Sequence, residues 1–208
     1  MKFVPTKLSG VVLIEPAVYS DGRGFFFESY RKDLFEKNGI RADFVQDNHS
    51  RSAKGVLRGL HYQVAPRQQS KLVCVTRGEA FDVVVDIRKG SPSFGKTYTV
   101  VLSGKNKKQL LIPKGFAHGF SVLSKKADVM YKCDTFYNRE SEAGIVYDDA
   151  ELNSQLDRLW PELRDITQAK AQRIAEVRAA LSPDHLAAGD RIEGRRLFQR
   201  SCASCHIL

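Results

Sequence analysis

The 208-residue chain has no apolar run long enough to cross a membrane, no block of like charge, no internal repeat and no low-complexity stretch. Its opening residues, Met1-Lys2-Phe3-Val4-Pro5-Thr6-Lys7-Leu8, lack the apolar core of an export signal. The expectation is therefore a cytoplasmic protein with no membrane partner. Composition excludes a disordered chain, because 42% of residues are apolar and 27% are charged, the proportions of a protein that buries a core. Cysteine is scarce: there are four. Cys74 and Cys133 sit in apolar, strand-like segments, where a free thiol behaves as a small hydrophobe. Cys202 and Cys205 are closely spaced near the end of the chain.

The net charge of +9 is uneven: residues 154–208 carry +2, leaving +7 on the first 153. With no basic block to track a nucleic-acid backbone, this excess suits either a few arginines converging on an anionic small ligand such as a diphosphate or a generally basic surface.

Short strands separated by glycine and proline fill the chain to about Asn153. Phe25 to Tyr30 follows an Asp21-Gly22-Arg23-Gly24 turn, and Lys71 to Thr76, Ala80 to Ile87, Tyr98 to Leu102, Gln109 to Ile112 and Ala127 to Cys133 read as further strands. Lys89-Gly90-Ser91-Pro92, Ser103-Gly104 and Pro113-Lys114-Gly115 are turn signals. Only Lys32 to Lys37, closed by Asn38-Gly39, has a helical pattern here. Many short strands predict a β-sandwich or barrel. From Ser154 the texture changes, and only Trp160 and Phe198 remain of the aromatic residues. Thr167 is placed to cap a helix to about Leu181, Ser182-Pro183 to open a short second one and Asp190 to cap a third through Arg200. The expected organisation is a mainly β domain over 1–153 and a helical tail over 154–208.

Within the β region, Val56-Leu57-Arg58-Gly59-Leu60-His61-Tyr62-Gln63 places an arginine and a histidine three residues apart. On a regular strand they point to opposite faces, unless a bulge at Gly59 re-aims one of them. Lys71, His118 and Tyr131 also lie in or beside apolar strands. Taken singly, each has a packing explanation. Gathered in one cavity with His61, they offer a base, a cation and a phenol, the groups that proton abstraction beside a carbonyl requires.

The runs Gln46-Asp47-Asn48-His49-Ser50, Gly55 to Gln63, Lys71-Leu72-Val73, Gly78 to Val83, Ile112 to Phe120 and Tyr131-Lys132, in that order, closely resemble the dTDP-4-dehydrorhamnose 3,5-epimerase family over about 150 residues. The resemblance implies a cupin-type jelly-roll sandwich, a homodimer, and epimerisation at C3 and C5 of a dTDP-linked 4-keto sugar. In that pattern His61 is the general base, Tyr131 the acid that reprotonates from the other face, and Lys71 the cation at the enolate oxygen. Arg23 and Arg58 hold the diphosphate, while Glu28, Gln46, Asn48, His118 and Glu142 match substrate-contacting positions. Metal-binding cupins use two histidines one residue apart and a glutamate. Here His61 is followed by Tyr62-Gln63, and neither metal nor cofactor is expected.

The tail departs from that pattern. The family has a Leu-Ser-x-Lys-Asp stretch whose aspartate orients the catalytic histidine; this chain has Leu181-Ser182-Pro183-Asp184, without the lysine. It also carries Cys202-Ala203-Ser204-Cys205-His206, the CxxCH signature of haem attachment, with His206 in the position of an axial ligand. Covalent haem attachment and a cytoplasmic sugar nucleotide belong to different compartments, so the tail reads as a cytochrome-like fragment without full function. A cupin that binds a nucleotide sugar without turning it over and a haem-carrying electron-transfer fusion are the alternative functions.

Overall fold

A computed structural model describes residues 1–145 of the chain, all within the first of its units, which runs from Met1 to Asp148. The strands are β1 (Lys2–Pro5), β2 (Val12–Glu15), β3 (Tyr19–Asp21), β4 (Gly24–Phe26), β5 (Gln46–Ala53), β6 (Leu57–Gln63), β7 (Lys71–Arg77), β8 (Glu79–Asp86), β9 (Thr97–Ser103), β10 (Gln109–Ile112), β11 (Phe116–Val122), β12 (Lys126–Cys133) and β13 (Glu142–Gly144). One helix, α1 (Lys32–Lys37), joins β4 to β5. A six-stranded sheet has the order β1-β2-β10-β7-β12-β5, and a five-stranded sheet the order β13-β6-β11-β8-β9.

The two sheets form the expected jelly-roll sandwich, because apolar residues recur at every second position on their facing sides. Val73, Val75, Leu110, Ala127 and Val129 come from the larger sheet and Ala80, Val84, Phe116, Phe120 and Val122 from the smaller, and together they make one core. A second cluster covers part of the outer face of the larger sheet. Phe35 of α1 is buried against Ile14, Leu72 and Leu111, with Phe3 and Tyr30 edge-on to its ring at centroid distances of 5.2 and 4.8 Å. The strand expected over Phe25 to Tyr30 stops at Phe26 because the chain then turns to send Tyr30 into this cluster. The helices expected after Thr167 lie outside the described residues.

One irregularity positions the chemistry. Between β6 and β11, His61 pairs with His118 and Arg58 pairs with Phe120, so Gly59 and Leu60 together face the single residue Gly119. This is a one-residue bulge, and it turns Arg58 and His61 onto the same inward face. Glycine is required on both strands. Gly59 has φ +138°, and a Cβ there would lie 2.5 Å from the Gly119 Cα; a Cβ on Gly119 would lie 2.8 Å from the Arg58 carbonyl oxygen. Gly59→Ala is expected to lower stability by about 2 kcal/mol or more, through backbone strain and a clash that no side chain can relieve. Urea unfolding measures this, and Gly119→Ala should shift the midpoint in the same direction.

Candidate active site

Strand register decides which side chains enter the sandwich. On the larger sheet Val73 and Val129 belong to the core, and Lys71 and Tyr131 are two residues from them on the same faces of β7 and β12. Tyr131 pairs with Asn48 of β5, Cys133 with Gln46, Val129 with Ser50 and Ala127 with Ser52, so the polar half of β5 also faces inward. On the smaller sheet the inward row holds His61, Arg58, His118 and Asp82. The β5 and β6 edges are tied together where the Arg58 Nε donates to the Ser52 Oγ at 2.9 Å. The candidate cleft is the space between these inward rows, with Tyr131, Asn48 and Gln46 on one wall and His61 and Arg58 on the other.

The electrostatics follow from burial. The Lys71 ammonium lies 5.8 Å from the centroid of the Tyr131 ring, and desolvation pushes its pKa below the usual lysine value, with Cys133, Glu142 and Asp82 nearby acting in the opposite direction. Burial raises the Tyr131 phenol, an effect strengthened by Cys133 and Glu142 and opposed by the Arg58 guanidinium. The Cys133 thiol is pushed up to about 11, chiefly by burial, and stays protonated near neutral pH. His118 and Asp82 are both buried, and the His118 Nε2 donates to the two Asp82 carboxylate oxygens at 3.0 and 2.9 Å. The pairing fixes the imidazole tautomer.

The mouth of the cleft is held by amides. The Tyr137 backbone N–H donates to the Gln46 Oε1 at 2.8 Å, Asn138 N–H to the Gln63 Oε1 at 2.7 Å, and Gln46 Nε2 to the Asn48 Oδ1 at 3.0 Å. The Tyr137 hydroxyl donates to the Glu142 Oε2 at 2.6 Å. Burial and this hydrogen bond push the Tyr137 phenol up to about 12. The Ser50 Oγ is buried on the inward face of β5 with no hydrogen-bond partner among the described residues.

A family model described as dTDP-4-dehydrorhamnose 3,5-epimerase matches residues 5–176. The chain belongs to this family. It is 52% identical over 162 residues to the dTDP-4-dehydrorhamnose 3,5-epimerase of Shigella flexneri, covering 77% of this chain and 87% of that one. The enzyme of the same name from Methanothermobacter thermautotrophicus is 45% identical over 177 residues, covering 79% and 95% of the two chains. Among solved structures, a dTDP-6-deoxy-D-glucose-3,5-epimerase from Legionella pneumophila Philadelphia 1, in complex with dTDP-4-keto-L-rhamnose, is 55% identical with a TM-score of 0.70 and covers 73% of this chain and 80% of that one. The activity of the family is that of an isomerase.

Of the residues that the sequence nominates in this epimerase-family chain, His61, Lys71, Tyr131, Arg58, Gln46, Asn48, His118 and Glu142 converge on the cleft. Arg23 and Glu28 do not. They belong to the β3–β4 hairpin and the segment after it, and the hairpin pairs with neither main sheet. The Arg23 side chain is 92% exposed, with Asp21 as its ion-pair partner, and Glu28 faces Arg31 at 3.5 Å. Cys202, Cys205 and His206 lie outside the described residues and beyond residue 176, where the family match ends. No group of three or more His, Cys, Asp or Glu among the described residues is placed to hold a metal ion.

Asp82, Ser52 and Tyr137 were not singled out from the sequence. Asp82 had a detectable signal: it stands at a core-facing position of an apolar strand, between Ala80 and Val84 in the period-2 register. Replacing it with alanine leaves a buried imidazole N–H without an acceptor, so Asp82→Ala is expected to lower stability by about 2 kcal/mol. Denaturant unfolding measures it, with Asp82→Asn, which keeps an acceptor oxygen, expected to lose less.

Proposed function

We propose that the cleft epimerises C3 and C5 of a dTDP-linked 4-keto-6-deoxyhexose, the chemistry of dTDP-L-rhamnose-type deoxysugar biosynthesis, using no metal or cofactor. Both carbons adjoin the ketone, so their protons become removable once negative charge on the carbonyl oxygen is stabilised. His61 takes a proton, Lys71 stabilises the enolate oxygen, and Tyr131 returns a proton from the opposite face, inverting the centre. The observation that carries this reading is the placement of His61 and Tyr131 on opposing sheets, with Lys71 beside the phenol. A base and an acid on one wall would return the proton to the face it left.

In this reading Arg58 meets a phosphate, with the Ser50 hydroxyl on β5 as a further donor. Gln46 and Asn48 offer amides to a nucleobase, and Tyr137, about half exposed, offers it a stacking face. Arg23 and Glu28 join such a site if the hairpin that carries them lies across a second copy of the chain. Tyr19, Phe25 and Phe26 on that hairpin are 68%, 58% and 69% exposed, which is the surface such an exchange would cover. The proposed assembly is a homodimer, and sedimentation equilibrium should return twice the 23.4 kDa chain mass.

The test of function is hydrogen exchange. In deuterated water with dTDP-4-keto-6-deoxyglucose, the protein should place label at C3 and C5, read by NMR and mass spectrometry. His61→Ala should abolish exchange at both carbons, and Tyr131→Phe should slow inversion on the order of 10²-fold while leaving binding nearly unchanged. Binding without label in the unaltered protein would identify a nucleotide-sugar carrier instead.

A further inference from the structure

The following rests on the epimerase reading above. Two inversions on one bound sugar pose a problem that one does not. After the first, His61 holds the abstracted proton and Tyr131 has lost its own, yet the second inversion needs a neutral imidazole and a protonated phenol again. A sugar bound between His61 and Tyr131 would separate the Tyr131 hydroxyl from solvent on that side.

The structure contains a second opening at the strand ends. A cavity of about 570 Å³ lies among the β6–β7, β8–β9 and β10–β11 connections, lined by Gln63, Gln68, Lys89 and Phe94 and reaching Lys71 and His118. Neither His61 nor Tyr131 lines it, and neither do Arg58, Asn48 and Gln46 of the substrate cleft. Lys89 is exposed and Phe94 is 58% exposed, so the cavity meets solvent at its rim, and its glutamines make it polar enough to hold water. Lys71 and His118 belong to both spaces, and of the two Lys71 carries its ammonium 5.8 Å from the centroid of the Tyr131 ring.

We propose that Lys71 restores the proton of Tyr131 between the two inversions, drawing its own replacement from water in the strand-end cavity. The Tyr131 phenolate takes a proton from the Lys71 ammonium, and the neutral amine takes one from water. The hydroxide left behind is neutralised by the proton that the His61 imidazolium releases, so the site returns to its starting state with no net change. Burial lowers the lysine and raises the tyrosine, and both shifts act in the direction of this transfer. The neighbouring groups are poorer donors. Arg58 does not release its proton, the His118 Nε2–H is engaged by Asp82, and the Cys133 thiol at about 11 is a weak acid.

The test compares the two inversions in single-turnover experiments in deuterated water, in the unaltered protein, in Lys71→Arg and in Gln68→Phe. Arginine keeps the positive charge at the enolate but cannot deliver a proton; phenylalanine at 68 narrows the cavity without touching the substrate cleft. Both variants should accumulate singly inverted sugar, with the second inversion slowed on the order of 10²-fold relative to the first in Lys71→Arg. Equal slowing of both inversions, or no change in their ratio in either variant, overturns the proposal and confines Lys71 to the enolate. Label at only one carbon in the unaltered protein also overturns it, since no reset is then needed. Absence of label at both carbons would instead overturn the epimerase reading itself.

Discussion

A one-residue bulge at a glycine-to-glycine crossing is the constraint on which the rest of the site depends. In a regular strand, Arg58 and His61 point to opposite sides, one into the sandwich and one to its surface. The extra residue opposite Gly119 brings both inward, and the crossing is close enough that neither strand tolerates a Cβ. Arg58, the proposed phosphate contact, and His61, the proposed base, are therefore set by backbone geometry shared between two strands. Elements packed on either side hold that geometry, which is why a sandwich with an apolar core at one end can support a polar cleft at the other.

That cleft is costly to build, and its composition reflects how the cost is limited. Buried polar groups need partners, and most here have them: His118 with Asp82, Arg58 with Ser52, Gln46 and Gln63 with backbone N–H groups. Lys71 is the least favourable member, since burial disfavours its charged form, and the carboxylates of Glu142 and Asp82 offset part of that penalty. The same burial strengthens its interaction with any negative charge that develops on a substrate oxygen. Desolvation thus links stability to function directly.

The apolar framework was readable in the sequence because its strands obey a period of two with β-branched residues on the core side. Lys71–Arg77, Glu79–Asp86, Thr97–Ser103, Gln109–Ile112 and Lys126–Cys133 were all placed to within a residue or two. The strand β5, Gln46-Asp47-Asn48-His49-Ser50-Arg51-Ser52-Ala53, was not singled out as a strand, because its inward residues line a polar cleft and the usual alternation of apolar with polar is absent. The site residues were legible through the motifs they share with the epimerase family. Arg23 and Glu28, implied by the family resemblance but outside those motifs, are not brought to the cleft by a single chain, because the hairpin belongs to neither main sheet. Asp82 is hidden in the sequence by the apolar residues on either side of it.

The most direct test of the proposed mechanism is a crystal structure of the protein with a dTDP-linked 4-keto sugar bound. The sugar ring is expected between the His61 imidazole and the Tyr131 hydroxyl, its ketone oxygen toward Lys71 and its diphosphate beside Arg58. A ligand seated elsewhere, or a ring with His61 and Tyr131 on the same face, would contradict it.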